Sequence, residues 1–153
     1  MADGARLAID WGKARIGVAA SNHGTSFAYP VETVPAGANE MRRLSELISD
    51  LGPRVVYVGY PLTLGGEKAI AAGFVAGKAR RLARRIAPVP VRLVDERLST
   101  ASASRNLGAA GRATKRQRSV IDQAAAVEIL QRALDVEERS GAPAGQPVET
   151  EES

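Results

Sequence analysis

The chain has 153 residues, 44% of them apolar and 25% charged, which suits one globular domain with a sizeable core. Cysteine is absent and His23 is the single histidine, so disulfide frameworks and thiolate zinc sites are excluded, and a bound metal is expected to be a hard cation held by oxygen. The formal net charge of +4 is uneven, because residues 135–153 carry −5 and the rest of the chain carries +9; a basic body suggests a polyanionic partner.

Three extended segments come first along the chain. Residues 6–11, 14–21 and 27–34 are rich in Leu, Ile, Val and Ala, and together they predict a β-meander. Apolar residues then recur at helical spacing over 41–51, and Gly52-Pro53 ends the pattern. The first third of the chain is therefore expected to form three strands followed by a helix.

The rest of the chain alternates strands and helices. The patterns predict a strand at 54–59, a basic amphipathic helix at 67–86, a strand at 91–94, a short helix at 99–107 and a final helix from Lys115 or Ser119 to Glu138. This order is typical of the ribonuclease H layout, an α/β fold with a five-stranded mixed sheet flanked by helices, in which three strands are antiparallel and two are added in parallel. We expect residues 1–138 to form this domain and residues 139–153, rich in Pro, Gly and acid, to be a disordered tail.

Three carboxylates stand where a strand ends or a helix begins, so that they would meet at one edge of such a sheet: Asp10, Glu96 and Asp122. Phosphodiester cleavage by two Mg²⁺ ions needs such a cluster, because a pair of hard cations held ~3.5 to 4 Å apart stabilises both the attacking water and the leaving oxygen. Three crowded acids without cations would repel one another. The pattern predicts that these acids are catalytic and bind two Mg²⁺ or Mn²⁺ ions.

Each acid also has a purely structural interpretation. Asp10 could belong to a hairpin turn with Gly12, where Asp and Gly are common. Glu96 could be part of a surface charge cluster, and Asp122 could complete a capping box that begins at Ser119. Local sequence alone leaves these alternatives open.

Basic residues indicate how a polyanion would be held. Lys13 and Arg15 follow Asp10 in the predicted hairpin, and Arg15 is expected nearer the scissile phosphate. A second set flanks a glycine-containing loop before Asp122, namely Arg105, Arg112, Lys115, Arg116 and Arg118. These positions predict phosphate contacts beside the acids. The basic helix over 78–85 fits a binding surface and a solvated face equally well.

Four sequence blocks together resemble the YqgF family, also called RuvX. They are Ala-Ile-Asp-Trp-Gly-Lys-Ala-Arg-Ile-Gly-Val-Ala at 8–19, Val-Gly-Tyr-Pro at 58–61, Asp-Glu-Arg-Leu-Ser-Thr at 95–100 and Val-Ile-Asp-Gln-Ala-Ala at 120–125. The resemblance runs from about Leu7 to Leu134. It implies a bacterial nuclease of ribonuclease H-like fold that matures the 5′ end of pre-16S ribosomal RNA, with resolution of Holliday junctions in branched DNA as the alternative.

The resemblance also implies roles for individual residues. Asp10, Glu96 and Asp122 match the metal-binding carboxylates, with Asp10 as the bridge between ions. Where relatives often carry Pro-Leu-Asn, this chain has Pro-Leu-Thr, so a substrate contact would pass to Thr63. Trp11, beside Asp10, is expected to pack on the sheet rather than stack on a base.

Other classes of function fit less well. An Asp-x-Gly after a first strand also opens the sugar kinase and actin-like ATPase fold, but those proteins need two such domains and a longer chain. A non-catalytic nucleic-acid binder of the same fold would have no need for all three acids. The sequence allows a monomer or a homodimer, and a resolvase, which cuts two strands symmetrically, is expected to act as a dimer.

The expected location is the cytoplasm, without membrane contact. No apolar run approaches the ~20 residues that cross a bilayer. The start, Met1 to Gly4, carries an acid where a secretory signal carries bases.

Overall fold

A computed structural model describes residues 4–22, 27–61, 67–95 and 115–148, with the main chain alone for 67–69 and 115–122. Its strands are β1 (Arg6–Trp11), β2 (Arg15–Ser21), β3 (Ala28–Pro35), β4 (Val55–Tyr60), β5 (Val91–Asp95) and β6 (Gln146–Pro147). Its helices are α1 (Glu40–Leu51), α2 (Glu67–Ile86) and α3 (Lys115–Ser140). The predicted short helix at 99–107 lies outside the described residues.

The strands form one mixed sheet in the order β3-β2-β1-β4-β5-β6. β1, β2 and β3 pair antiparallel, whereas β4 pairs parallel with both β1 and β5. This confirms the predicted α/β fold, with a meander followed by two strands added through helices. The sheet has a sixth strand that the sequence did not predict, because β6 comes from the segment expected to be disordered.

Helices cover both faces of the sheet. Along β1, Leu7, Ile9 and Trp11 pack into the core under α1 and α2, whereas Ala8 packs into the core under α3. The alternation follows from the two-residue period of a strand. Trp11 is buried, which confirms that it packs on the sheet.

The helix α2 has the predicted bounds, with Val75, Ala79 and Leu82 on its buried face. The helix α3 buries only part of the face that its hydrophobic spacing predicts, which is Val120, Ala124, Val127, Leu130 and Leu134. Leu130 and Leu134 are buried, but Ala124 is exposed, and the buried face also includes Ala126, Ile129, Ala133 and Glu137. Small side chains at Ala126 and Ala133 let the helix approach the sheet closely, which the hydrophobic spacing alone does not reveal. No described helix is long and apolar enough to cross a membrane.

Residues 141–148 lie along the edge of the sheet, so the prediction of a disordered tail is wrong for this segment. β6 pairs antiparallel with β5, and Arg92 donates from Nε to the Ala144 carbonyl at 2.6 Å and from Nη2 to the Gly145 carbonyl at 2.7 Å. Ala144 is buried, and its N–H donates to the Tyr57 hydroxyl at 3.2 Å. Backbone pairing to a free strand edge needs no apolar periodicity, which is why composition did not reveal it. Residues 149–153 lie outside the described chain.

Candidate functional site

Asp10 is the fifth of the six residues of β1 and lies before the hairpin turn. It pairs with Gly17 of β2, and the turn follows at residues 12–14. Its position alternates with Trp11, so it is on the α3 face of the sheet together with Ala8. Only 3% of Asp10 is exposed. Because Asp10 is buried within a strand, whereas the Asp of an ordinary turn is exposed, the hairpin-turn interpretation is wrong.

The carboxyl ends of the three parallel strands meet at the edge of the sheet that holds Asp10. Ile9 of β1 is level with Val58 of β4, and Tyr60 of β4 is level with Asp95 of β5. Glu96 follows Asp95 directly in the sequence and lies outside the described residues. The last residue of β5, Asp95, is therefore at the same edge of the sheet as Asp10.

A hydrogen bond fixes the height of α3 above this edge. The Gln123 side chain donates from Nε2 to the Thr33 hydroxyl at 2.9 Å. Thr33 of β3 is level with Gly17 of β2, which is level with Asp10 of β1. The main chain at Asp122, next to Gln123, is therefore close to the cross-strand row that contains Asp10.

A second hydrogen bond shows the direction of α3. The Ala28 N–H donates to the Gln131 side chain at 3.0 Å. Ala28 of β3 pairs with Ser21 of β2, which in turn pairs with Arg6 at the start of β1. The eight residues from Gln123 to Gln131 rise about 12 Å along a helix, and the four residues from Asp10 back to Arg6 span about 13 Å of strand. The helix thus runs antiparallel to β1, and its first half is at the Asp10 edge.

The position of Asp122 within α3 tests the capping-box interpretation of this residue. The helix begins at Lys115, so that Asp122 is its eighth residue, and no acid stands in its first turn. A residue two turns inside a helix is not needed to satisfy the unpaired N–H groups of the helix start. The capping-box interpretation is wrong.

The predicted ligands are carboxylates, a donor type that fits Mg²⁺ or Mn²⁺. The structure describes the side chain of Asp10, the main chain of Asp122 and nothing of Glu96. Within the described part of the chain, no group of three or more His, Cys, Asp or Glu residues is arranged to hold a metal. The buried Asp10 carboxylate is a donor that suits a hard cation, and the end of β5 and the first half of α3 lie at the same edge of the sheet.

Two of the predicted phosphate-binding residues lie on the hairpin beside Asp10. Lys13 is exposed and Arg15 is half-buried. The hairpin is tight, because Gly12 donates its N–H to the Arg15 carbonyl at 3.0 Å and a Cβ at Gly12 would lie 2.5 Å from that oxygen. The turn therefore requires glycine, and it holds both basic residues next to the carboxyl end of β1.

The other predicted contacts are only partly described. Thr63, Arg105 and Arg112 lie outside the described residues, and the main chain of Lys115, Arg116 and Arg118 forms the first turns of α3. Because α3 begins at the Asp10 edge, these three positions belong to the same end of the molecule as the acid.

The basic stretch over 78–85 divides into two parts. Lys78 forms a 2.6 Å ion pair with the buried Glu40 carboxylate and joins α2 to α1. Four arginines remain exposed, at Arg80, Arg81, Arg84 and Arg85. Since α2 packs on the face of the sheet opposite to α3, these arginines are on the other side of the sheet from Asp10.

The Glu40 carboxylate is held ionised by this pairing. Burial raises its pKa, but the Lys78 ammonium and the Gly37 N–H, which donates at 3.0 Å, outweigh that effect, and the pKa lies below its usual value. Glu40 is thus a structural anchor on the α1 side of the sheet.

Sequence reasoning missed a buried charged network at the other end of β1. Arg6 and Glu137 are 1% and 4% exposed and form an ion pair at 2.8 Å, and the Tyr57 hydroxyl donates to the same carboxylate. Burial, and then this hydrogen bond, raises the pKa of Tyr57. In the sequence, Glu137 belongs to the acidic stretch over 135–153, which suggests a solvent-exposed charge. A signal was present, because Glu137 follows Leu134 by three residues on the buried stripe of α3.

Comparison with known proteins assigns the family. The family model RuvX, described as Holliday junction resolvase, matches residues 4–136. A protein of Cutibacterium acnes is 50% identical over 132 residues, covering 86% of this chain and 82% of that protein. A protein of Streptomyces coelicolor is 51% identical over 151 residues, covering 97% and 90%. Both bear the name "Putative pre-16S rRNA nuclease".

A solved structure of similar fold is Thermus thermophilus RuvC in complex with a Holliday junction substrate. The TM-score is 0.58 at 20% sequence identity, and the similarity covers 94% of this chain and 99% of that one. This likeness supports the ribonuclease H-like fold. Because the family model spans most of the sequence and relatives share about half of their residues with it, this chain belongs to the RuvX family.

Proposed function

We propose that this protein is a metal-dependent nuclease that hydrolyses phosphodiester bonds in 5′-end maturation of pre-16S ribosomal RNA in the bacterial cytoplasm. The observation that carries the proposal is the buried Asp10 carboxylate at the edge of the sheet where β5 ends and α3 begins. Membership of the RuvX family and the names of the relatives support the nuclease activity and the RNA substrate.

The proposed chemistry is shared among three acids. Asp10, Glu96 and Asp122 would hold Mg²⁺ or Mn²⁺, with two ions proposed, and Asp10 would contribute its carboxylate from the central strand β1. When bound, such ions activate the attacking water and stabilise the leaving oxygen. The described contribution of the protein is the burial of the Asp10 carboxylate, because a charge shielded from solvent interacts more strongly with a bound cation.

The basic residues near this edge would hold the polyanion. Lys13 and Arg15 are next to Asp10 along the hairpin, and the first turn of α3 supplies Lys115, Arg116 and Arg118. Thr63, Arg105 and Arg112 complete the proposed contacts. Phosphate contacts of this kind position a strand without reading its sequence.

The test of the acids is a set of isosteric substitutions. Asp10→Asn, Glu96→Gln and Asp122→Asn are each expected to abolish Mg²⁺- or Mn²⁺-dependent cleavage of a pre-16S RNA fragment while the fold stays intact, because each removes a ligand charge without changing volume. Asp135→Asn, on the exposed side of α3, is the matched control and should cleave normally. Near wild-type turnover in any one of the three variants shows that this residue is not a ligand.

A second readout needs no substrate. If the acids are crowded, Asp10→Asn relieves their repulsion and raises the melting temperature of the metal-free protein. Unchanged or lower melting means that the carboxylates are not close together. Retained nucleic-acid binding without cleavage by the wild-type protein would instead favour a non-catalytic binder.

The test of the basic residues is the salt dependence of binding. Each phosphate contact on a duplex contributes roughly 0.9 to the slope of log affinity against log salt. The variant with four residues changed to Gln at the start of α3 should therefore flatten the slope by up to about 3.6 on a duplex substrate or about 2.8 on a single strand. The four residues are Arg112, Lys115, Arg116 and Arg118. The matched control removes the same charge from the opposite face of the sheet, at Arg80, Arg81, Arg84 and Arg85. Equal slopes in the two variants mean that the overall field binds the substrate.

Resolution of branched DNA is the second candidate, because the matching family model is described as a Holliday junction resolvase. The two activities would use the same acids and the same basic surface. Depleting the protein separates them, since either pre-16S RNA or recombination intermediates should accumulate. Dimerisation on a four-way junction, measured by light scattering, would support the resolvase.

A further inference from the structure

The half-buried side chain of Gln123 links α3 to the sheet immediately beside Asp122. It donates to the Thr33 hydroxyl of β3 at 2.9 Å, ninety residues away in the sequence. Thr33 belongs to the cross-strand row that runs through Gly17 to Asp10. The hydrogen bond therefore connects the helix to the sheet at the height of the Asp10 carboxylate.

Apolar packing of α3 on the sheet combines large and small side chains. Ile129, Leu130 and Leu134 of the helix share one buried cluster with Val55 and Tyr57 of β4, and the same cluster contains Ala126 and Ala133 of the helix and Ala8 and Ala19 of the sheet. Methyl groups form shallow ridges, so they resist small shifts of a helix less than long interdigitating side chains do. A slip of one residue would move α3 by about 1.5 Å and turn it by about 100°. A directional polar contact adds precision where the small side chains meet.

The two halves of α3 are held by different contacts. The second half carries the Gln131 bond to the Ala28 N–H and the buried ion pair of Glu137 with Arg6. In the first half, Gln123 donates a side-chain hydrogen bond to the sheet, and Ala125 and Ala126 are buried. Loss of that hydrogen bond would loosen the end of the helix that carries Asp122, while the other end keeps its polar contacts.

We propose that Gln123 is a positioning residue: its hydrogen bond to Thr33 sets the height and rotation of α3, so that Asp122 meets Asp10 at the proposed metal site. The inference rests on the proposed nuclease function, because it assigns Asp122 to that site. Gln123 itself touches neither substrate nor metal in this role.

The experiment compares two glutamines on one helix. Gln123→Leu and Thr33→Val remove the hydrogen bond with little change in volume, and Gln131→Leu removes the equivalent contact two turns further along. The first readout is the rise in melting temperature of the protein with increasing Mg²⁺ or Mn²⁺, without nucleic acid, which reports the metal affinity. The second is the division of any kinetic loss between kcat and KM.

We expect Gln123→Leu and Thr33→Val each to weaken metal affinity about tenfold, as outer contacts of metal ligands commonly do. The double variant should be no worse than either single one, since both remove the same bond. The kcat should fall while KM for RNA stays within twofold. Gln131→Leu should lower the melting temperature of the metal-free protein and leave the metal affinity unchanged.

Other outcomes overturn the inference. Metal affinity within twofold of wild type in Gln123→Leu shows that Gln123 does not position the site. An equal loss in Gln131→Leu shows that α3 acts through general stability. If the melting temperature of the wild-type protein does not rise with these cations and the protein does not cleave RNA, the proposed function fails as well. If it does rise, and the metal affinity of Gln123→Leu equals that of the wild type, only the positioning role is refuted.

Discussion

Gly145 tests whether the C-terminal segment is bound to the sheet. Its φ is +72°, a left-handed conformation, and a Cβ added there would lie 2.0 Å from the Leu93 carbonyl oxygen and 2.8 Å from Val94 Cγ1. Neither contact is possible, so Gly145→Ala must displace the segment from β5. That displacement breaks the hydrogen bonds from Arg92 to the Ala144 and Gly145 carbonyls.

The expected loss can be worked from these contacts. The displaced segment loses the hydrogen bonds from the Ala144 N–H to Tyr57 and from the Val148 N–H to Val91, which contribute about 1 kcal/mol each. The two hydrogen bonds of Arg92 contribute about 1 kcal/mol each, and re-exposing the buried Ala144 methyl costs about 0.8 kcal/mol. Part of this is recovered as the released segment regains conformational freedom. The free energy of unfolding should therefore fall by about 3 kcal/mol.

Gly141→Ala is the matched control. Gly141 has a φ of +74°, but no atom lies within 4 Å of an added Cβ. This variant should carry only the conformational cost, about 1 to 2 kcal/mol. A larger loss in Gly145→Ala than in Gly141→Ala therefore reports the contact of the segment with β5.

The measurement is urea unfolding followed by the fluorescence of Trp11, the single tryptophan, which is buried in the core. Hydrogen exchange at the Val148 N–H, which donates to the Val91 carbonyl at 2.9 Å, reports the segment directly. Equal stabilities of Gly145→Ala and Gly141→Ala, with a rapidly exchanging Val148, would refute the reasoning. The tail would then be free in solution, as its composition suggests.

Three further changes address the interior and the hairpin. Glu137→Gln leaves Arg6 charged and buried, so the free energy of unfolding measured in urea should fall by about 3 to 5 kcal/mol. The double variant with Arg6→Met and Glu137→Leu should recover most of that stability. If it does not, the loss comes from packing and not from the unpaired charge. The Glu40 pKa is lowered from 4.5 in the folded state, so its pairing stabilises the protein above that pH and is lost as the pH falls through the lowered value. Glu40→Gln should therefore flatten the stability profile below pH 4.5, and an unchanged profile would contradict the assignment. Gly12→Ala brings a Cβ within 2.5 Å of the Arg15 carbonyl and should cost about 1 to 3 kcal/mol, whereas unaltered thermal melting would mean that the hairpin adjusts freely.

The sequence by itself determined most of the described strands and helices and the edge of the sheet at which the acidic site is predicted. Helix α2 spans residues 67–86 as its periodicity predicts, and Gly52 ends α1 in the left-handed conformation with its N–H bonded to the Ile48 carbonyl. Such features are local, because a helix face or a stop signal is complete within a few turns of chain. The order of strands and helices then restricts the topology to few arrangements, which is why the ribonuclease H-like layout could be predicted.

Only the tertiary structure decided which charged and polar residues are partners. Glu137 looked like part of an acidic tail and Lys78 like part of a basic surface, yet both are bonded to groups 131 and 38 residues away. The β6 pairing and the Gln123 bond to Thr33 are equally distant in sequence. Contacts of this kind depend on where two remote segments meet, and the local sequence pattern of one segment does not predict which residue of the other it will contact. For that reason the sequence could name Asp10 and Asp122, but the height of α3 above β1 came from the fold.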